Sequence, residues 1–341
     1  MPEGEYLQYG GQAIVEGVMM RSPRYFAVAC RAPNGEIITH VEPLEKTWIG
    51  RQKWLKWPFF RGSLALIDAM ALGIKSLRFA SNIQLDEAYA APVEGEADKL
   101  TSKTADADKS KKIQEAQVAG AMVFGLGFGF FLFNFLPNLL AEQSKRAGVQ
   151  SGTLINFITE IIKVTFFLGY IWLIGRLPEM KRVFQYHGAE HKAINTLEAI
   201  QELNMDNCRA QTRLHPRCGT SFAIVVLIVS MALFTFIPRY PLGQDHAMIL
   251  NVIIRVALEL LILPIISGIA YELIRIAGKF RNAAIIDALF KPGLMTQYLT
   301  TNEPDDSQIE VALAALQLVV DAEKNDAVTK TVMSDPELSV A

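Results

Sequence analysis

Residues 248–276 read MILNVIIRVALELLILPIISGIAYELIRI, an apolar run longer than the ~20 residues a helix needs to cross a hydrocarbon core about 30 Å thick. Three similar blocks precede it: Val118–Leu140, Leu154–Leu177 and Ser221–Pro238. The chain is 341 residues long, 51% hydrophobic, with a mean hydropathy of +0.22, and its apolar residues gather in these blocks instead of spreading evenly. Four blocks predict four transmembrane helices and a mainly α integral membrane protein. The opening residues, MPEGEYLQYGG, lack a basic region followed by an apolar run, so no cleaved signal peptide is expected.

Orientation follows from charge. Lys and Arg number 15 before residue 117 and seven between Arg176 and Arg217, whereas the alternate loops carry only Lys145, Arg146 and Arg239. Positive charge stays on the cytoplasmic side. Both termini and the 176–217 segment are therefore expected in the cytoplasm of a multi-pass protein, with short loops at 141–152 and 239–247 outside. The net charge of −2 carries no such information. Cys30, Cys208 and Cys218 would face a reducing compartment, which disfavours disulfides and leaves thiolate–metal chemistry open.

Outside the blocks the chain reads differently. The runs AIVEGVMM, YFAVACR and EIITHV are strand-like, and Asn34-Gly35 is a hairpin signal because both residue types tolerate positive φ. A small β-containing cytoplasmic domain is expected, its Gly10, Gly11 and Gly17 serving turns and bulges. Residues 48–61 interleave Trp48, Trp54, Trp57, Phe59 and Phe60 with Arg51, Lys53, Lys56 and Arg61. This mixture suits the lipid headgroup zone better than base stacking, so the expected partner is the bilayer, with other membrane proteins as possible associates and no nucleic acid. The next 16 or so apolar residues contain Asp68 and Lys75 and predict an interfacial or re-entrant helix.

Gly125 and Gly129 predict a close-packing helix face in the first span. Charges within the second and fourth spans, Glu160, Lys163, Arg255 and Glu259, need partners, and similar depth suggests a Glu160–Arg255 pair. Near the end, Asp305 or Asp306 caps a helix whose stripe Ile309, Leu313, Leu316 and Val320 should pack on the N-terminal domain. The chain thus divides into a cytoplasmic domain with hairpin and interfacial helix (1–84), a flexible linker (85–116), a transmembrane hairpin (117–178), a cytoplasmic segment (179–218), a second transmembrane hairpin (219–280), a C-terminal cytoplasmic helical segment (281–326) and a disordered tail (327–341).

The chemistry concentrates in the 179–218 segment, which holds His187, His191, His215, Cys208 and Cys218 out of five histidines and three cysteines. On a helix, His187, Glu190 and His191 share one face. H-x-x-E-H is the inverted zinc-protease order, in which two histidines hold the ion and the Glu polarises water. A divalent metal, zinc by donor type, needs three or four ligands. Glu198 lies about 10 Å beyond His191 along a continuous helix and cannot share its ion. The remaining ligands come from His215 and Cys218, the preferred pair, or from Glu16, Cys30 or His40. The structural alternative has the histidines bonded to backbone or carboxylates and Cys218 buried at a helix start.

The stretches GGQAIVEGVMMRSP (10–23), WPFFRGSLALIDAMALGIKSL (57–77), YHGAEHKAIN (186–195), RLHPRCGTSF (213–222) and LTTNEPDDSQIEVALAAL (299–316) together resemble the YqhQ family of bacterial integral membrane proteins. The resemblance implies the bacterial inner (cytoplasmic) membrane and a pattern containing His187, Glu190, His191, His215 and Cys218, to which Cys208 does not belong. It implies little about activity, since the family is of unknown function and only sometimes labelled a metal-dependent enzyme. Two classes follow: a membrane-anchored metal-dependent hydrolase at the cytoplasmic face with Glu190 as catalytic base, or a non-catalytic membrane assembly or scaffold protein with a structural metal or hydrogen-bonded His/Cys site.

Overall fold

The computed structural model describes residues 9–44, 60–90, 120–121, 123–243, 247–279 and 284–334. Most of the aromatic and cationic stretch 48–61, most of the expected linker, and residues 335–341 lie outside them. Strands β1 (Gly10–Ile14), β2 (Gly17–Arg21), β3 (Tyr25–Arg31) and β4 (Ile37–Pro43) form one antiparallel sheet in the order β1-β2-β3-β4. Helices follow: α1 (Phe60–Leu85), α2 (Val123–Ala147), α3 (Gly152–Ile174), α4 (Pro178–Glu198), α5 (Met205–Ala210), α6 (Gly219–Phe234), α7 (Met248–Lys279), α8 (Ala284–Thr300) and α9 (Asp306–Ser334). The chain groups into two compact units, one of residues 1–91, 171–226 and 264–341, the other of 92–170 and 227–263.

The first unit is built on the sheet, which is covered on both faces. Side chains alternate across a strand, so Val18, Met20, Ala27 and Ala29 meet Tyr186, Ala189, Ala193 and Ile194 of α4 and Ile309, Ala312 and Leu316 of α9. Met19, Phe26, Val28 and Cys30 face the other way, onto Leu72, Ala80 and Ile83 of α1. Double coverage explains why VMM and FAVAC are continuous apolar runs. The expected α9 stripe packs as read, with Ile309, Leu316 and Val320 buried and Leu313 beside them. Asp305 caps this helix: its carboxylate accepts from the Gln308 N–H while the Gln308 side-chain oxygen accepts from the Asp305 N–H. The helix runs on to Ser334, through part of the expected tail. The 34–35 hairpin is present, but only Gly35 takes positive φ (+90°), within a connection where the Ala32 carbonyl accepts from the Gly35 N–H.

Among the described residues three helices are long and apolar enough to cross a membrane, by length and composition: Val123–Ala147, Gly152–Ile174 and Ile249–Ile274 within α7. The fourth expected span is shorter than its apolar block. α6 has 16 residues, about 24 Å at 1.5 Å per residue. Two buried side chains of the second unit bond carbonyls at its last residue and just past it: Asn156 Nδ2 donates to Thr235 O and Ile237 O, and Arg255 donates to Phe234 O and Pro238 O. Carbonyls satisfied by side chains no longer need another helical turn. In α2, a π turn at Phe131–Phe135 precedes Pro137, which has no N–H to offer an ordinary helical bond.

Two further expectations are corrected in the second unit. A Cβ at Gly125 or Gly129 would meet nothing within 4 Å, so those glycines form no packed face among the described residues. Glu160 and Arg255 make no direct pair. Lys163 instead bridges Glu160 (3.0 Å) and Glu259 (2.7 Å), and Arg255 binds Glu259 at 3.1 Å within α7. Arg239 adds a second knot, bonding Asn138, Thr159 and Glu142.

Candidate metal centre

The site lies in the first unit and is organised by α4. Pro178 stands at the start of this helix, where its missing N–H costs nothing, and the helix continues unbroken to Glu198. His187 and His191 therefore project one turn apart, with ring centroids 4.4 Å apart. Cys218, immediately before α6, closes the group: the metal-ligating atoms of His187, His191 and Cys218 all lie within 4.8 Å of one another.

Backbone carbonyls orient both imidazoles. His187 Nδ1 lies 2.8 Å from Thr300 O, and His191 Nδ1 lies 2.6 Å from Arg213 O. A carbonyl only accepts, so each Nδ1 carries the hydrogen, and Nε2 is the nitrogen each ring has left for the group. The second support that metal-ligating histidines need is thus in place. His187 Nε2 accepts from Cys218 Sγ at 3.1 Å. Among the described residues His191 Nε2 is buried and has no partner in hydrogen-bonding geometry, although the Cys218 thiol lies beside the ring and interacts with it; an unsatisfied buried group ordinarily costs about 1–3 kcal/mol. Burial also pushes the His191 imidazole below its ordinary pKa and so favours the neutral, lone-pair form. Thr220 donates its N–H to Cys218 Sγ at 3.4 Å, and its hydroxyl lies 3.2 Å from the same sulfur. Two nitrogens and one sulfur at this spacing fit a zinc-type donor set with one position left for an outside ligand.

The other candidates fall elsewhere. His215 sits beside His191, ring centroids 5.7 Å apart, but its Nε2 faces Glu198 Oε1 at 3.1 Å and it is outside the three-ligand group. Fully buried Gln297 clamps the His215 backbone, accepting from its N–H at 2.8 Å and donating to its carbonyl at 2.7 Å. Glu198, which also pairs with Arg217, is thus the partner of His215, not of the His191 site. Glu16 binds Arg182 and Tyr186, Cys30 contacts Gln84, and His40 lies against Glu42. Cys208 is buried in the core between α4 and α9.

Glu190 is buried, and the Gly11 N–H of β1 bonds its carboxylate; burial raises its pKa, opposed by the nearby His187 and His215. Gly11 has to be glycine for this approach, since a Cβ there would come within 2.9 Å of the Glu190 carboxyl carbon. Gly188 plays the same part on another side of α4, where a Cβ would overlap the Asn302 carbonyl oxygen. That close approach brings the end of α8 to His187. Sequence reading gave Gly11 to a turn or bulge, whereas it lies within β1 against Glu190, and it missed Gly188 and both supporting carbonyls.

A family model described as a protein of unknown function (DUF1385) matches residues 57–322. The chain is also 37% identical over 311 residues to the uncharacterized protein YqhQ of Bacillus subtilis (strain 168), covering 89% of this chain and 90% of that relative. No solved structure matches it.

Proposed function

The chain belongs to this family of unknown function, and from that premise we propose that it is a membrane-bound, metal-dependent hydrolase whose His187, His191 and Cys218 hold one divalent cation, zinc by donor type. The observation that carries the reading is His191 Nε2: among the described residues, a buried lone pair with no partner in hydrogen-bonding geometry, within 4.8 Å of two other donor atoms. When bound at such a centre, a divalent cation supplies Lewis acidity and lowers the pKa of water. His187 and His191 supply lone pairs fixed by Thr300 O and Arg213 O. Glu190 is assigned the proton-accepting role, with Gly11 holding its carboxylate.

The membrane part of the proposal keeps four crossings, α6 being the short fourth, in the bacterial cytoplasmic membrane. Both termini and the site are on the cytoplasmic side, in line with the charge asymmetry of the connecting segments. A non-catalytic reading is favoured by one observation: the two histidines and Cys218 tie α4 to residues 213, 218 and 300, as a structural metal staple would.

Metal content, thermal stability and rescue of a deletion strain, measured side by side for His187→Ala, His191→Ala and Glu190→Gln, separate these readings. The hydrolase is expected to lose metal in both histidine variants, while Glu190→Gln keeps metal and stability but fails to rescue. Rescue by Glu190→Gln with unstable histidine variants would transfer the site to the structural class. Wild-type protein that purifies without metal and binds no added zinc would end both metal readings.

A further inference from the structure

Helix α1 meets α7 at one short crossing. A Cβ at Gly62 would lie 2.7 Å from Ser267 O and 2.9 Å from Gly268 Cα, so glycine is what lets the two backbones touch. Ser63 Oγ donates to Pro264 O at 2.6 Å, and Arg61 forms a two-bonded pair with Glu272. These α7 residues belong to the last third of the apolar stretch Ile249–Ile274. Gly268 lies about 9 Å before the end of that stretch at 1.5 Å per residue. From the crossing, α1 leaves α7 and runs beneath the sheet, where Gln12 Nε2 donates to Ala69 O and Arg21 pairs with Asp68.

One face of α1 is therefore spoken for, with Asp68, Leu72, Ser76, Ala80 and Ile83 buried against the sheet side. The opposite face exposes Ile67 (50%), Met70 (50%) and Ile74 (39%), then Arg78 one turn on, and Leu85 (52%) at the end of the helix. No carboxylate pairs with Arg78 among the described residues. The sequence leading into the helix, RQKWLKWPFFR at 51–61, has the aromatic and cationic mixture found at headgroup level.

We infer that α1 is an interfacial anchor, lying along the membrane boundary with Ile67, Met70 and Ile74 against lipid acyl chains and Arg78 at the level of the lipid phosphates. Two independent features select lipid as the occupant. The first is depth: the crossing at Gly268 sits where amphipathic helices rest, about 5–10 Å into the boundary. The second is the composition of the exposed face, where Ile67, Met70, Ile74 and Leu85 flank the cation Arg78, the mixture of apolar side chains and a snorkelling guanidinium that suits acyl chains and phosphates at the boundary. The inference rests on the membrane reading of α7 and is independent of the metal.

The test uses full-length protein in nanodiscs of phosphatidylcholine and phosphatidylglycerol. Nitroxide labels are placed singly through Ile67→Cys, Met70→Cys and Ile74→Cys, with Asn82→Cys and Leu261→Cys as references. Wild type treated identically sets the background, its three cysteines being buried. Power-saturation spectroscopy then compares collisions with oxygen, which concentrates in lipid, and with a water-soluble nickel chelate. Oxygen should dominate several-fold at 67, 70 and 74, more strongly still at 261, and nickel should dominate at 82. Nickel dominance at the three α1 sites, or shielding from both reagents by protein, overturns the anchor while leaving position 261 to certify the membrane. Nickel access at 261 overturns the anchor and the membrane reading together.

Discussion

Two buried polar clusters of this protein differ in one respect. In the unit of residues 92–170 and 227–263, Glu142, Glu160 and Glu259 are matched by Lys163, Arg239 and Arg255 through direct bonds. In the other unit, His187, His191 and Cys218 converge yet, among the described residues, leave one buried nitrogen without a partner in hydrogen-bonding geometry. A network whose charges cancel internally holds helices together and has nothing to offer a ligand. A cluster of lone pairs braced from behind and unsatisfied in front has the form of a binding site. Here the six paired charges belong to the closed cluster, and the candidate chemistry belongs to two imidazoles and a thiol.

The strongest way to break this contrast is to open the closed cluster. Lys163→Met removes the cation shared by Glu160 and Glu259; Glu259 keeps Arg255, and leaving the buried Glu160 carboxylate without its bonded cation should cost about 3–5 kcal/mol on the scale of soluble cores. Reversible unfolding in detergent measures it, and Glu160→Gln added to Lys163→Met should restore part of the loss. Coupling in a double-mutant cycle should be larger for Lys163 with Glu259 than for Glu160 with Arg255. A loss below about 1 kcal/mol would remove the network from any role in stability.

A smaller effect tests the support of the open cluster. Gly188→Ala places a methyl on the Asn302 carbonyl oxygen, and overpacking of this kind costs about 1–3 kcal/mol. Because Thr300 orients His187, zinc affinity should fall along with the melting temperature. Unchanged affinity in a destabilised Gly188→Ala protein would separate the Thr300 contact from metal binding.

The smallest effect is one of pH. Burial pushes the Cys208 thiol up to about 11, above an ordinary value of 9.0. A thiol whose pKa is raised on folding is neutral in both states at low pH, and its contribution is lost as pH climbs from about 9 toward 11. The melting temperature should therefore drop between pH 8 and 10.5, and Cys208→Val should drop less. Equal slopes would mean that Cys208 does not govern the alkaline loss.

How much was legible in the sequence differs between the clusters for the same reason. The H-x-x-E-H spacing placed His187 and His191 on one face because a helix repeats locally, and Cys218 was among the ligands chosen. His215, preferred beside it, turned instead toward Glu198, a residue set aside for its distance along the helix from His191. The charges of the spans were visible as needing partners, but a pairing by depth alone chose Glu160 with Arg255. It missed Lys163, which reaches both Glu160 on its own helix and Glu259 on another.

The sequence by itself determined the apolar blocks, the charge asymmetry, the strand alternation and the α9 stripe, because hydrophobicity, charge and period are properties of neighbouring residues. Only the tertiary structure decided that the fourth block ends as a 16-residue helix, since its last carbonyls are claimed by Asn156 and Arg255 from remote parts of the chain. It alone decided the orientation of the two histidines as well. The groups that fix them, Thr300 O and Arg213 O, are peptide carbonyls, chemically the same at every residue, and nothing in a side-chain alphabet marks which of them folding will bring to an imidazole.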